Sequence, residues 1–229
     1  MLQDRYIREM ICEDLSNDYY WSDIWDEEFY IELCKMGFIS TTHQTKDGLI
    51  LLPELQFDYA ILDFENLHIS KKVQKLMREN NYTLRFNTRL KEVIKNLDTK
   101  HKYNWFNGKY SELILSLHQK KEQFDNFEIY SVELISNETN ELIAGEVGYI
   151  IGSTYTSLSG FSSSDKKYNN CGTLQLVLLA EYLQKEGFSF WNLGHPHMEY
   201  KKRLGAITHS RKEFLQRWQE TIMIDREII

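Results

Sequence analysis

Gly172-Thr-Leu-Gln-Leu-Val-Leu-Leu-Ala-Glu-Tyr-Leu-Gln-Lys-Glu-Gly-Phe-Ser-Phe-Trp-Asn-Leu-Gly194 decides how the chain is read. Leu176, Leu179, Ala180 and Leu183 recur at helical spacing, with Thr173 as N-cap and Gly187 as the C-terminal stop, which predicts a helix of about four turns. Phe188–Leu193 then alternates apolar with polar residues up to Gly194, as a short strand does. Immediately upstream, Glu141–Ile151 and Tyr155–Phe161 read as two strands joined by a turn at Gly152-Ser153. Three strands and a helix in so short a stretch imply an α/β layer.

Working outward, 229 residues suffice for one large domain or two small ones, and 42% hydrophobic with 14% aromatic residues describe a packed globule. No apolar run reaches about 18 residues, and Met1–Tyr6 lacks the apolar core of a signal peptide, so a soluble, cytoplasmic protein is expected. Cys12, Cys34 and Cys171 are odd in number and lack paired metal spacing, which predicts reduced thiols and no metal site.

Charge divides the chain. Residues 1–70 hold 15 Asp/Glu against 4 Lys/Arg, whereas residues 71–229 hold 19 against 23, and the whole carries −7. The sequence is therefore divided into an acidic N-terminal α/β region, 1–70, and a C-terminal domain, 71–229, containing the hairpin 141–162 and the helix–strand unit 173–194. Polyanion binding, if the protein has it, belongs to the later part, whose basic clusters include Lys71-Lys72 and Lys201-Lys202-Arg203. The alternative is ordinary solvated helix surface.

The first forty residues read as helical and acidic, with a helix over Asp23–Met36 ending at Gly37. Leu49–Leu55, Tyr59–Phe64 and Tyr82–Phe86 read as strands, Ser70 opens a basic helix, and Thr88–Leu97 and Ser111–Gln119 read as helices. Trp105, in the polar-aromatic loop Tyr103–Gly108, is either a core anchor or one wall of an apolar pocket. His195-Pro-His197 offers two imidazoles at i and i+2 around a proline, a poor metal geometry that reads as loop surface. Gly145, Gly148 and Gly152 lack both the spacing and the lysine of a nucleotide phosphate loop, so no nucleotide cofactor is expected.

The succession Phe127–Ile135, Glu141–Gly152, Ser159–Ser162 and Arg203–Leu215, with Tyr59–Ser70 upstream, resembles the bacterial leucyl/phenylalanyl-tRNA–protein transferase family. The resemblance runs from about residue 20 to 218 and keeps the order of the motifs; Trp105 falls where that family has a Trp before a helix. It implies an α+β chain: a small N-terminal domain, then a GCN5-related N-acetyltransferase-like mixed-sheet domain. It further implies transfer of Leu or Phe from aminoacyl-tRNA to the N-terminal amine of an acceptor protein or peptide beginning with Arg or Lys. No cofactor is implied, because the ester is already activated and the protein has to position the amine, move a proton and stabilise an oxyanion.

Where the family reads "GESMFS", this chain has Ser157–Ser162, with Leu158 in place of the Glu and Gly160 in place of the Met. Where the family reads "DCQ", it has Asn192-Leu-Gly194, and Asn cannot serve as a carboxylate base. Glu146 stands where the family has an apolar residue, and an ungapped hairpin sets it opposite Leu158; it then faces either the pocket or solvent. On this reading Glu146 and Asn192 are the catalytic candidates. Trp105, Tyr155, Leu158, Phe161, Leu179, Leu183 and Trp191 wall an aminoacyl pocket, and Lys71, Lys72, Lys201, Lys202 and Arg203 meet tRNA. Two other readings use the same residues: an acetyl-CoA-dependent acyltransferase, which lacks the glycines of a pyrophosphate loop at Asn169–Thr173, and a tRNA- or peptide-binding relative without catalysis.

Overall fold

The computed structural model describes residues 5–100 and 105–224; Tyr103 and Asn104 of the aromatic loop lie outside the described residues. The helices are α1 (Arg5–Glu13), α2 (Glu27–Lys35), α3 (Lys71–Glu79), α4 (Leu90–Lys100), α5 (Gly108–Gln119), α6 (Cys171–Lys185), α7 (Glu199–Leu204) and α8 (Arg211–Thr221). The strands are β1 (Ile39–Thr45), β2 (Gly48–Glu54), β3 (Asp58–Leu62), β4 (Tyr82–Phe86), β5 (Phe127–Ser136), β6 (Leu142–Ile151), β7 (Thr154–Ser162), β8 (Phe190–Asn192) and β9 (Ile207–Ser210).

Strands β1 and β2 form a hairpin of their own, and the others form one sheet in the order β4-β5-β6-β7-β8-β3-β9. Its strand pairs are antiparallel except β7 with β8, which run parallel because α6 carries the chain back along the sheet. This is the α+β, mixed-sheet arrangement expected from the sequence. Strand β3 lies before residue 70 yet pairs between β8 and β9, so the charge boundary runs through the sheet.

Two apolar clusters cover the sheet. Val73 of α3 with Leu174, Val177, Leu179, Ala180 and Leu183 of α6 packs in one, and Leu33, Val93, Leu113 and Phe214 of α2, α4, α5 and α8 pack in the other. With both faces covered, β6 is buried along almost its whole length.

Helix α6 begins at Cys171 rather than Thr173, with Asn170 as its N-cap in left-handed backbone at φ 68°. The expected helix over Asp23–Met36 shortens to α2, capped by the Asp26 carboxylate on the Phe29 amide. Before it the chain is extended, not helical: Tyr19 bridges to Glu54 and Ser22 to Leu51, so this aromatic stretch lies along β2.

Arg211, at the start of α8, fastens that extended stretch. Its side chain is 1% exposed and donates to the carbonyls of Asp14, Asn17, Leu55 and Gln56, while the guanidinium lies 4.8 Å from the Phe57 ring centroid. Replacing Arg211 with Met strands those carbonyls, so we expect a loss of about 3 kcal/mol or more in urea unfolding. Arg211→Lys should recover only part of it, because a single ammonium cannot span the same acceptors.

Candidate active site

Glu146 sits in the middle of β6 and is 3% exposed, so the alternative of a solvent-facing side chain does not hold. A buried carboxylate needs donors. Tyr155 Oη (2.9 Å) and Ser157 Oγ (2.8 Å) donate to Oε1, and Gln175 Nε2 of α6 donates to Oε2 at 3.0 Å. Trp191 Nε1 donates in turn to Ser157 Oγ at 2.9 Å and orients that hydroxyl.

Sheet irregularity makes this arrangement possible. Val147 pairs with Ser159 but Gly148 pairs with Ser157, so Leu158 is the extra residue of a β-bulge. Glu146 therefore stands opposite Gly160, not opposite Leu158 as an unbulged hairpin predicts. A Cβ on Gly148 would lie 2.4 Å from Tyr155 Oη; only a glycine lets that phenol cross the strand to the carboxylate.

Beside this network is a cavity of about 670 Å³. Trp105, Leu158, Phe161, Leu176, Leu193 and Met198 give it apolar walls, while Glu146, Ser157, Gln175, Tyr200 and Lys201 give it polar ones. A larger groove of about 810 Å³, between the extended stretch, α2 and Phe124, has no comparable buried polar network on its walls.

Lys201 is the residue that sequence reasoning misplaced most. Expected on a tRNA-facing surface, it is 5% exposed and reaches inward from α7 to donate to the carbonyls of Leu193 (2.5 Å) and His195 (2.6 Å). Burial pulls its ammonium down to about 8 despite the opposing pull of Glu146. Burial likewise pushes the Glu146 carboxyl up, against the donors from Gln175, Ser157 and Tyr155 and the charge of Lys201.

The carbonyls that hold Lys201 are themselves fixed. The Leu193 amide donates to Ala60 O (2.9 Å), Ala60 N donates to Gly194 O (2.7 Å), and His195 Nε2 lies 2.7 Å from the buried Glu54 carboxylate. His195 and His197 stack with ring centroids 5.4 Å apart and stay outside the cavity wall.

The other expected site residues divide. Trp105, Leu158 and Phe161 line the cavity, as does Glu146. Tyr155 and Trp191 are wholly buried behind it and act through their polar atoms, whereas Leu179 and Leu183 belong to the α6 core and form no part of its wall. Asn192 is also behind the wall: Oδ1 accepts from the Gly194 amide at 2.9 Å and Nδ2 points to Thr156 Oγ1 at 3.4 Å, which closes the turn after β8. Lys71, Lys72, Lys202 and Arg203 are exposed, and the His68 amide donates to Leu204 O (2.9 Å), tying the approach to α3 to the end of α7. Gln175, Ser157, Tyr200 and Met198 were not singled out from the sequence. Gln175 gave one signal, a polar residue inside the otherwise apolar run Leu174–Ala180.

Sheet, crossover helix and cavity define an α+β protein built on a mixed seven-stranded sheet. The chain belongs to the leucyl/phenylalanyl-tRNA protein transferase family, whose model matches residues 61–219. A leucyl/phenylalanyl-tRNA–protein transferase of Rubrobacter xylanophilus is 27% identical over 169 residues, covering 73% of this chain and 81% of that one. The transferase of the same name from Pseudomonas syringae is 29% identical over 153 residues, covering 66% of this chain but only 61% of its own length. Among solved structures, FemX matches with a TM-score of 0.49 at 13% identity, over 80% of this chain and 66% of that one. Among the described residues no helix is long and apolar enough to cross a membrane.

The Glu146–Lys201 pair gives stability a particular pH dependence. Between about 8 and 10.5 an unfolded Lys201 keeps a proton that the folded residue has released, so the unfolded state binds more protons and stability rises with pH. Glu146 acts oppositely: its raised folded value means that stability present in acid is lost as pH climbs above 4.5. In Lys201→Met the alkaline gain should vanish, as read from urea midpoints at pH 8 and pH 10.

Proposed function

We propose that the cavity holds the aminoacyl ester of a charged tRNA and that the protein transfers this aminoacyl group to the amine of an acceptor. The observation that carries the reading is one cavity whose lining combines apolar side chains with a buried hydrogen-bonded carboxyl and an inward-turned lysine, within a chain of this family. The apolar wall suits a side chain of the Leu or Phe class, where each methylene buried contributes about 0.8 kcal/mol. The polar groups suit the ester carbonyl, the attacking amine and the protons that must move between them. Glu146 holds the charge among these groups, and Asn192 keeps the loop behind them in place. Acceptors beginning with Arg or Lys, and a cytoplasmic setting where charged tRNA is found, complete the reading inferred from the family. No metal or organic cofactor enters it.

One observation favours a second reading, a relative that binds without turnover. The Asn192 amide is committed to its own turn behind the cavity wall, so it offers a bound substrate no acid or base.

Transfer of labelled Leu, Phe or Met from charged tRNA to a peptide with N-terminal Arg or Lys separates the two. Turnover with apolar aminoacyl groups is expected, and Trp105→Ala should raise KM for the charged tRNA about tenfold or more. Binding with no product in any combination would leave the second reading. For the tRNA surface, changing Lys71, Lys72, Lys202 and Arg203 to Gln should weaken binding and reduce the slope of log affinity against log salt by up to about 3. Affinity measured across a salt series checks this.

A further inference from the structure

We propose that Lys201 is the general base of the transfer reaction, its Nζ taking the proton that the acceptor amine must lose. This inference rests on the aminoacyl-transfer reading above and names the residue that makes it chemically complete.

The geometry of the amine is the first argument. Lys201 is 5% exposed and lines the cavity, and its Nζ is held by two acceptors, Leu193 O at 2.5 Å and His195 O at 2.6 Å. A neutral amine has two N–H groups and one lone pair. With both N–H groups directed at carbonyls, the lone pair occupies the remaining tetrahedral position. Once protonated, the same nitrogen keeps both carbonyls and carries its third N–H in that position. A proton can therefore arrive and leave without any rearrangement of the socket.

The second argument is the surroundings. Among the described residues lining the cavity, the titratable groups besides Lys201 are Glu146 on β6 and Tyr200 on α7, whose ring centroid is 5.9 Å from Nζ; Gln175 on α6 is neutral, and Lys202 and Arg203 are exposed. Glu146 accepts from Tyr155, Ser157 and Gln175, which favour its carboxylate against the burial that pushes the carboxyl up, and that carboxylate stabilises the ammonium as it forms. Burial pushes the Tyr200 phenol up to about 12, which leaves it protonated and unable to accept. Asn192 has no basic atom and stands behind the wall. Lys201, brought down to about 8 by burial, is the group whose neutral form is available near the working pH of a cell.

The step balances without any added reactant. The neutral α-amine of the acceptor attacks the ester carbonyl carbon; the C–N bond forms and the carbonyl π pair moves to oxygen. The new ammonium gives one proton to the Lys201 lone pair. The tetrahedral intermediate collapses, the bond to the ribose oxygen breaks with its electron pair, and Lys201 returns the proton to that oxygen. An amide, a free ribose hydroxyl and neutral Lys201 remain.

Single-turnover transfer measured from pH 6 to pH 10 tests this, alongside tRNA binding and thermal unfolding of each variant. Wild type should show a rising limb with a midpoint of about 8. Lys201→Arg keeps a charge but offers no lone pair, so the rate should fall about 10²–10⁴-fold with tRNA affinity unchanged. Glu146→Gln removes the neighbouring negative charge and should move the limb to lower pH, a shift that a purely structural role would not produce. That second variant decides the matter if Lys201→Arg does not fold. Activity of Lys201→Arg within a few fold of wild type, or an unmoved limb in Glu146→Gln, would overturn the proposal while leaving aminoacyl transfer intact. A wild-type protein inactive with every charged tRNA would instead remove the transfer reading, and this one with it.

Discussion

A carboxyl group in the middle of a strand that is covered on both faces constrains everything near it. Glu146 must be matched by donors or else stay protonated, and at ε near 4 an isolated charge would be prohibitive. Its partners come from three further elements: Tyr155 and Ser157 from β7, Gln175 from α6, and the countercharge of Lys201 from α7. Each partner then fixes something else. The phenol requires Gly148 to have no side chain, the serine hydroxyl takes its direction from Trp191, and the lysine requires two carbonyls of the loop after β8 to face inward. The bulge at Leu158 and the turn closed by Asn192 are local departures from regular sheet that let these groups converge.

The constraint also explains why one cavity has two kinds of wall. Glu146 draws Ser157 and Gln175 to it as polar partners on the wall, and side chains with no such role, Trp105, Leu158, Phe161, Leu176 and Met198, supply the apolar part of the lining. Water at the polar groups can be displaced by an ester and an amine that offer hydrogen bonds of their own. At the apolar side chains it is displaced by hydrocarbon, which is favoured on area alone.

The sequence disclosed the parts of the fold whose periodicity is strong. Helix α6, the hairpin β6–β7 and the short β8 follow from spacing and glycine punctuation, and the family motifs add their order. Less legible was anything decided by pairing between distant segments. The aromatic stretch before α2 has no distinctive period and becomes extended because β2 offers it an edge; β1 went unread because its polar residues hide the alternation. At the site, an ungapped reading sets the hairpin around Glu146 one residue out, because the bulge at Leu158 leaves no mark in the run Ser157–Gly160. Lys201 was indistinguishable from Lys202 and Arg203 by composition, and only the short α7 turning it toward the loop separates them.

Position 192 shows how a buried polar side chain supports the cavity without lining it. An acid there would lie behind the cavity wall in this structure, next to the Gly194 amide and Thr156, and any proton it accepted would have to pass the buried wall of β7. An asparagine fits that place better, because its oxygen serves the amide while its nitrogen faces the threonine hydroxyl, and it brings no charge that burial would disfavour. At Glu146, by contrast, the charge that burial disfavours is met by three hydrogen-bond donors. A cation is the complementary addition, and the chain supplies it from α7. The amide at 192, the carboxyl at 146 and the inward turn of Lys201 are then three ways of placing polar atoms within a sheet covered on both faces.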